Sequence, residues 1–184
     1  MHARIAFLIS GIVFFSTLGI CSGGPPVSDD QLPPLPRELY LPVLEVADGD
    51  TFKTVLPCGI PMSVRLLGVD CPETRNTNDP DEYMGIDKLI LREWGLCAKS
   101  WLAEEIEGEW VTIRFDNTTD YTGKYGRLLG YVFDEGVDLN AELLRLGLAR
   151  ATPEYDFSFE IEYIEIEQMA IEEGAGLWAE IPLS

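Results

Sequence analysis

From Tyr40 onward the hydrophobic pattern comes in short β-prone runs first and helical spacings later. Leu41–Val46 is apolar, and Asp48-Gly49-Asp50 behind it has the composition of a turn. Thr51–Leu56 and Met62–Val69 read as strands, joined through Pro57-Cys58-Gly59-Ile60-Pro61 as a hairpin. After Pro72 the pattern dissolves into a polar loop, Thr74–Glu82. Ile90, Trp94, Ala98, Trp101 and Leu102 then recur at three and four residues, which predicts a helix over 87–106 ended by Gly108. Two further strands are expected over Trp110–Phe115 and Leu128–Phe133, with a glycine-containing loop between them. Asn140 is the expected N-cap of a short helix carrying Leu143, Leu144 and Leu146 and closed by Gly147. In the last segment Phe157, Phe159, Ile161 and Tyr163 alternate as in a strand, whereas Tyr163, Ile166 and Ala170 have helical spacing. The length of the segment and Gly174 at its end favour a helix. Five short strands with about three helices inserted and appended outline an α+β chain with an OB-type barrel.

Upstream of this region the composition changes twice. Ile5–Ile20 is an apolar run of 16 residues preceded by Arg4, and no acid occurs before Gly24. That is short of the roughly 20 residues a spanning helix needs. A positive start, an apolar middle and a small-residue end predict an export signal over residues 1–24. Leu18-Gly19-Ile20-Cys21-Ser22 also has the outline of a lipoprotein signal, with Cys21 as a possible lipid and membrane anchor, although Ile20 is larger than the residue usual at that point. Residues 25–39 carry five prolines with Ser28, Asp29 and Asp30, and read as an extended tether before a folded domain at 40–181.

Composition removes several chemistries. The single histidine is His2, so the folded region holds no histidine-based triad, no Cys-His pair and no HExxH site. Cys21, Cys58, Cys71 and Cys97 form no CxxC pair, which argues against structural zinc. Cys71 and Cys97 flank the polar loop, so they stand either as thiols or as a bridge. Catalysis, if present, rests on carboxylates, arginines, lysines, tyrosines and a hard cation held by oxygen.

Four sequence blocks carry the candidate chemistry. They are Ala47-Asp48-Gly49-Asp50-Thr51, the run Arg65-Leu66-Leu67-Gly68-Val69-Asp70-Cys71-Pro72-Glu73-Thr74, then Gly123-Lys124-Tyr125-Gly126-Arg127-Leu128, and Leu144–Ala149 followed by Leu177-Trp178. Arginine suits a phosphodiester, because its fork donates two aligned hydrogen bonds to phosphate oxygens and keeps its charge. A hard cation between carboxylates screens the anion, and a further carboxylate can orient or deprotonate water.

In this order and number the four blocks resemble the staphylococcal nuclease (thermonuclease) family over about Leu41–Glu180. The resemblance implies a Ca²⁺-dependent nuclease acting on DNA, RNA or both, expected as a monomer. It implies Asp50 and Asp70 as side-chain calcium ligands, with the main-chain carbonyl of Cys71 as a third. Threonine is usual in the family at that last position. Glu73 becomes the general base, and Arg65 and Arg127 the phosphate clamp. Lys124, Tyr125 and Tyr155 become substrate contacts. The loop after Glu73 is longer than in the staphylococcal pattern, and its Asn76, Asn78, Asp79, Asp81 and Glu82 read as a solvated segment or a second cation site. Nuclease-like domains that have lost catalysis also exist as binding modules, and an acidic envelope lipoprotein using the fold as scaffold is a third reading. The retained Asp50, Arg65, Asp70, Glu73 and Arg127 favour the enzyme.

The formal charge of -19 opposes a polyanionic substrate, and removal of Arg4 with the signal makes it -20. Attraction is then confined to a few local cations, while the general field repels. Added salt shortens the Debye length from about 30 Å at 0.01 M to about 10 Å at 0.1 M and weakens the long-range repulsion first. Initial cleavage rate at subsaturating substrate and constant calcium activity is therefore expected to rise with salt before it falls. A basic nuclease loses affinity from the start. A monotonic fall from the lowest salt would mean that local charge alone governs encounter.

Overall fold

A computed structural model describes residues 36–123 and 125–181. The export or lipoprotein signal with Cys21, the tether as far as residue 35, and Lys124 lie outside the described residues. The strands are β1 (Glu38–Asp48), β2 (Thr51–Val55), β3 (Pro61–Leu66), β4 (Val69–Asp70), β5 (Trp110–Arg114), β6 (Leu128–Asp134), β7 (Val137–Asp138) and β8 (Arg150–Ala151). The helices are α1 (Lys88–Ile106), α2 (Leu139–Arg145) and α3 (Glu160–Glu173).

β1 pairs antiparallel with β2 and β5, β2 with β3, and β5 with β6. A parallel pairing of β3 with β6 closes the ring, with Val64 opposite Leu128 and Arg65 opposite Leu129. The result is a closed five-stranded barrel with three helices, the OB-type α+β architecture expected. Its interior is filled by Leu41, Val43, Phe52, Val64, Leu66, Val111, Ile113 and Val132, each at most 2% exposed. Alternation sends the intervening side chains outward, Arg65 among them. Pairing of β1 with β5 already begins at Glu38, inside the stretch read as tether, where Arg114 donates to the Glu38 carboxylate at 2.6 Å.

Two local expectations are corrected. The helix at 139–145 is capped by Asp138, whose carboxylate accepts from the N–H groups of Asn140 and Ala141. Asn140 is instead fully buried: its Oδ1 accepts from Val132 N at 3.0 Å and its Nδ2 donates to Leu67 O at 2.8 Å. It serves as a polar rivet between α2 and the barrel, satisfying main-chain groups that the ladder leaves free. On α1 the buried face is Leu91, Gly95, Ala98, Leu102 and Ile106, one position round from the stripe that Ile90 and Trp94 suggested. Small residues at Gly95 and Ala98 let the helix approach closely, while Trp94 and Trp101 pack on its flanks.

The ambiguous C-terminal segment is a helix. Tyr163 of α3 is fully buried and donates its hydroxyl to Asp138 at 2.9 Å, whereas Ile161 and Met169 are exposed. The short connection ahead of α3 is tied to the barrel through Asp116. This carboxylate accepts from Tyr131 Oη at 2.5 Å, from Thr118 N at 2.7 Å, from Thr118 Oγ1 at 2.6 Å and from Ser158 N at 2.8 Å. Burial would raise its pKa, but these donors outweigh it and hold the group below the usual carboxylate range. A depressed folded pKa contributes stability that is fully present above the unfolded value near 4 and is lost as pH falls toward the folded value. Asp116→Asn is expected to cost about 2–3 kcal/mol near neutrality. The gap to the wild type should stay constant down to about pH 5 and narrow below about pH 4. Urea unfolding of both proteins across pH 3–8 checks this, and a gap that widens with acid would contradict it.

Candidate active site

The site is assembled from turns at one end of the barrel. Gly49 and Asp50 form the two-residue turn between β1 and β2, with Asp48 opposite Thr51. Asp50 is 2% exposed, and its main-chain carbonyl accepts from Leu66 N at 2.9 Å. After β3 the chain reverses at Gly68, whose φ of +79° suits glycine. A Cβ there would also meet the Phe157 ring at 2.6 Å. The reversal returns Asp70 to Arg65, five residues earlier in the chain.

The guanidinium of Arg65 bridges the two acids. It forms an ion pair with Asp50 Oδ1 and a 2.6 Å bond from Nη2 to Asp70 Oδ1. The second oxygen of Asp50 accepts from Cys71 N at 2.8 Å, and Thr51 Oγ1 donates to Oδ1 at 3.0 Å. Burial pushes the Asp50 carboxyl up, and Arg65 with the Cys71 N–H pulls it back. For Arg65 burial disfavours charge, but Asp50 and Asp70 outweigh it and hold the guanidinium protonated.

Sequence reasoning missed the partners of the second Asp70 oxygen. Arg150 stands opposite Asp70 in the β4–β8 ladder and reaches Oδ2 from Nη2 at 2.9 Å and from Nε at 3.1 Å. The same guanidinium is 3.4 Å from Glu82 and lies over the Tyr83 ring. Tyr83 donates its hydroxyl toward Asp70 Oδ2 at 3.3 Å. The β8 strand is two residues long and carries no periodic signal. An arginine just after the Leu144–Ala149 block was the trace available in the sequence.

An open pocket of about 740 Å³ lies beside this cluster, lined by Asp70, Cys71, Glu73, Asn78, Tyr83 and Arg150 among others. Partial burial raises the Glu73 carboxyl, and Asp48, Asp50 and Asp70 add to the effect. Cys71 is buried, burial raises its thiol pKa, and Cys58, Cys71 and Cys97 are all free, so no bridge spans the loop. Asp79 caps a 3-10 turn over Pro80–Tyr83 by accepting from Asp81 N. Among the described residues no three histidine, cysteine or acidic side chains cluster as a metal group, in the loop or elsewhere.

Arg127 lies one residue before β6, on the outward face that the β3–β6 register shares with Arg65. It makes no ion pair among the described residues. Its Nε is buried without a partner, and its guanidinium lies 5.5 Å from the centre of the exposed Tyr125 ring. The Tyr155 hydroxyl is also buried without a partner, and a Cβ on Gly123 would meet it at 2.8 Å. The structure thus joins Asp50, Arg65, Asp70 and Cys71 by direct contacts, puts Glu73 on the same pocket as Asp70, and sets Arg127 with Tyr125 and Tyr155 with Gly123 in the neighbouring loop.

The model of the staphylococcal nuclease homologue family matches residues 63–180, which includes the Arg65–Glu73 run, Arg127 and Arg150. The chain belongs to the staphylococcal nuclease family. It is 38% identical over 151 residues to the uncharacterized protein MJ1439 of Methanocaldococcus jannaschii, covering 76% of this chain and 71% of that one. Endonuclease YncB of Bacillus subtilis is 32% identical over 136 residues, 72% of this chain and 58% of YncB. The thermonuclease of Staphylococcus intermedius is 34% identical over 114 residues, 62% of this chain and 60% of that enzyme. The chain therefore spans roughly three fifths of the length of each of these two nucleases. Staphylococcal nuclease membership supports a hydrolase of the nuclease class.

In this family member Gly95 of α1 faces the site loop. A Cβ there would collide with the Pro72 carbonyl and come within 2.8 Å of Glu73 O. Helix propensity alone would make Gly95→Ala stabilising by about 1 kcal/mol. The backbone clash is expected to reverse the sign, with a net loss of about 1–3 kcal/mol typical of overpacking. Denaturant unfolding measures it, and a gain in stability would show that the loop yields freely.

Proposed function

We propose that the protein is a calcium-dependent nuclease that hydrolyses phosphodiester bonds of DNA, RNA or both, with endonucleolytic action. The observation that carries this reading is the buried Asp50–Arg65–Asp70 cluster beside an open pocket holding Glu73, in a chain of the staphylococcal nuclease family. The donors suit a hard cation. Asp50 and Asp70 offer carboxylate oxygens, which Arg65 and Arg150 hold together in this structure, and the Cys71 carbonyl is next in the chain. Negative charge from Asp48, Asp50 and Asp70 crowds Glu73, a field that a cation relieves. Bound there, calcium would screen the phosphate and polarise its oxygens.

The chain's own residues supply the remaining tasks. Glu73 lines the pocket, and burial with the neighbouring acids raises its carboxyl, the direction that makes it a stronger base toward water. Arg65 stands beside the ligand acids, where its fork can meet a phosphate oxygen as negative charge develops. Arg127 brings a buried Nε that lacks a partner, a donor that a phosphate oxygen would satisfy. Tyr125, Tyr155 and Lys124 serve as contacts to the nucleotide beyond the scissile bond. The apolar run behind Arg4 supports an exported or lipid-anchored enzyme.

The test incubates the purified protein with plasmid DNA and with RNA, each with calcium, with magnesium and with a calcium chelator. Cleavage that requires calcium is expected. Full activity in chelator would remove calcium from the reading, and no cleavage of either substrate would leave a binding module. Arg65→Lys and Arg127→Lys lose the paired hydrogen bonds, and each is expected to lower turnover by about 100-fold or more. Weaker binding at unchanged turnover would reduce the arginines to docking groups.

A further inference from the structure

The loop from Thr74 to Asp87 is mostly exposed, yet it is fastened at both ends to the site. Asn78 holds the first end. Its Oδ1 accepts from Glu73 N at 2.6 Å, and its Nδ2 donates to Glu73 O at 2.9 Å and to Arg75 O at 3.3 Å. One side-chain amide thereby engages both main-chain polar groups of Glu73, as a neighbouring strand would. The far end is held by Tyr83 and Ile86, buried with Leu91 of α1 and with Leu177 and Trp178 near the C-terminus. From the opposite side, the missing side chain of Gly95 lets α1 lie against the Pro72 and Glu73 carbonyls.

The Glu73 main chain is thus gripped from two directions. Its carboxylate, by contrast, has no hydrogen-bond partner among the described residues, although it lines the pocket. A base must sit within hydrogen-bond reach of the proton it takes, and a displacement of about 1 Å can cost about 100-fold in rate. With the side chain itself unsupported, its position is inherited from the main chain.

We propose that Asn78 is a positioning residue for Glu73: the inserted loop, anchored on the second hydrophobic cluster, uses the Asn78 amide to hold the base at the pocket. The proposal rests on the reading of Glu73 as the base. Asp79 and Asp87 serve as caps and Glu82 pairs with Arg150, while the amide is the loop side chain that engages Glu73.

A double-mutant cycle on the full-length protein tests it, with single-turnover and steady-state cleavage of plasmid DNA in saturating calcium. Asn78→Ala is expected to lower kcat about 10- to 100-fold at little changed KM and melting temperature. Asn78→Asp keeps an acceptor for Glu73 N and loses the donor, so it should fall between Asn78→Ala and the wild type. In a Glu73→Gln background Asn78→Ala should cost nothing further, because a residue acting only through Glu73 has nothing left to position. The same fold-loss in both backgrounds would overturn the proposal, as would wild-type kcat in Asn78→Ala. Wild-type kcat in Glu73→Gln alone would overturn the base assignment itself, and it is read without any Asn78 variant. If Asn78→Ala lowers the melting temperature by many degrees, Asn78→Asp carries the same cycle.

Discussion

Arg65 is the point on which the site depends. Two carboxylates, one of them 2% exposed, meet at one guanidinium on the outer face of β3. Bringing Asp50 and Asp70 together without a cation would set like charges side by side in a poorly hydrated place. The barrel supplies the geometry: the β1–β2 turn delivers Asp50, β3 carries Arg65 outward, and the reversal at Gly68 returns Asp70. A buried ion cluster of this kind need not add net stability, since desolvation consumes much of the attraction. Losing one partner is a different matter, and typically costs about 3–5 kcal/mol. The cluster therefore constrains arrangement more than it strengthens the fold.

Much of this was legible in the chain. The strands of the barrel are bounded by turn residues, and the acid and arginine blocks lie at those turns, so local pattern and chemistry pointed to one place. What was not legible depends on contacts far apart in sequence. Arg150 meets Asp70 across a ladder 80 positions wide, on a strand too short to show a period. Asn140 carries the composition of a cap, but the adjacent Asp138 takes that role and frees the amide for the barrel. The buried stripe of α1 keeps Ala98 and Leu102 but begins at Leu91 and Gly95 in place of Ile90 and Trp94, because a glycine, invisible to a count of apolar residues, lets the helix come closest there. Asn78 looked like an ordinary member of the polar loop and Tyr83, just past it, carried no signal, and only the folded chain sets them against Glu73 and Asp70.

The charge balance has a structural counterpart. Most of the acids in α3 face water, with Glu160, Glu162 and Glu165 in its first half. The cations that matter are not spread over the surface but held against carboxylates or aromatic rings: Arg65 between Asp50 and Asp70, Arg150 between Asp70 and Tyr83, Arg127 beside Tyr125. Positive charge held in this way makes little long-range field, so recognition of an anion is a short-range event decided inside the cleft.

The second hydrophobic cluster joins Tyr83 and Ile86 to Leu177 and Trp178, more than 90 positions further along the chain. The barrel strands end with β6 at Asp134, and the described residues after it are helices, turns, the short β7 and β8 and this closing contact. Contacts so distant in sequence carry a loop-closure cost that local pairings avoid. A chain made from its amino end therefore has all the strands of its barrel before it has Arg150 and Thr152, which complete the wall of the pocket. The wall of the pocket is thus set by long-range contacts that follow the barrel rather than by the barrel itself.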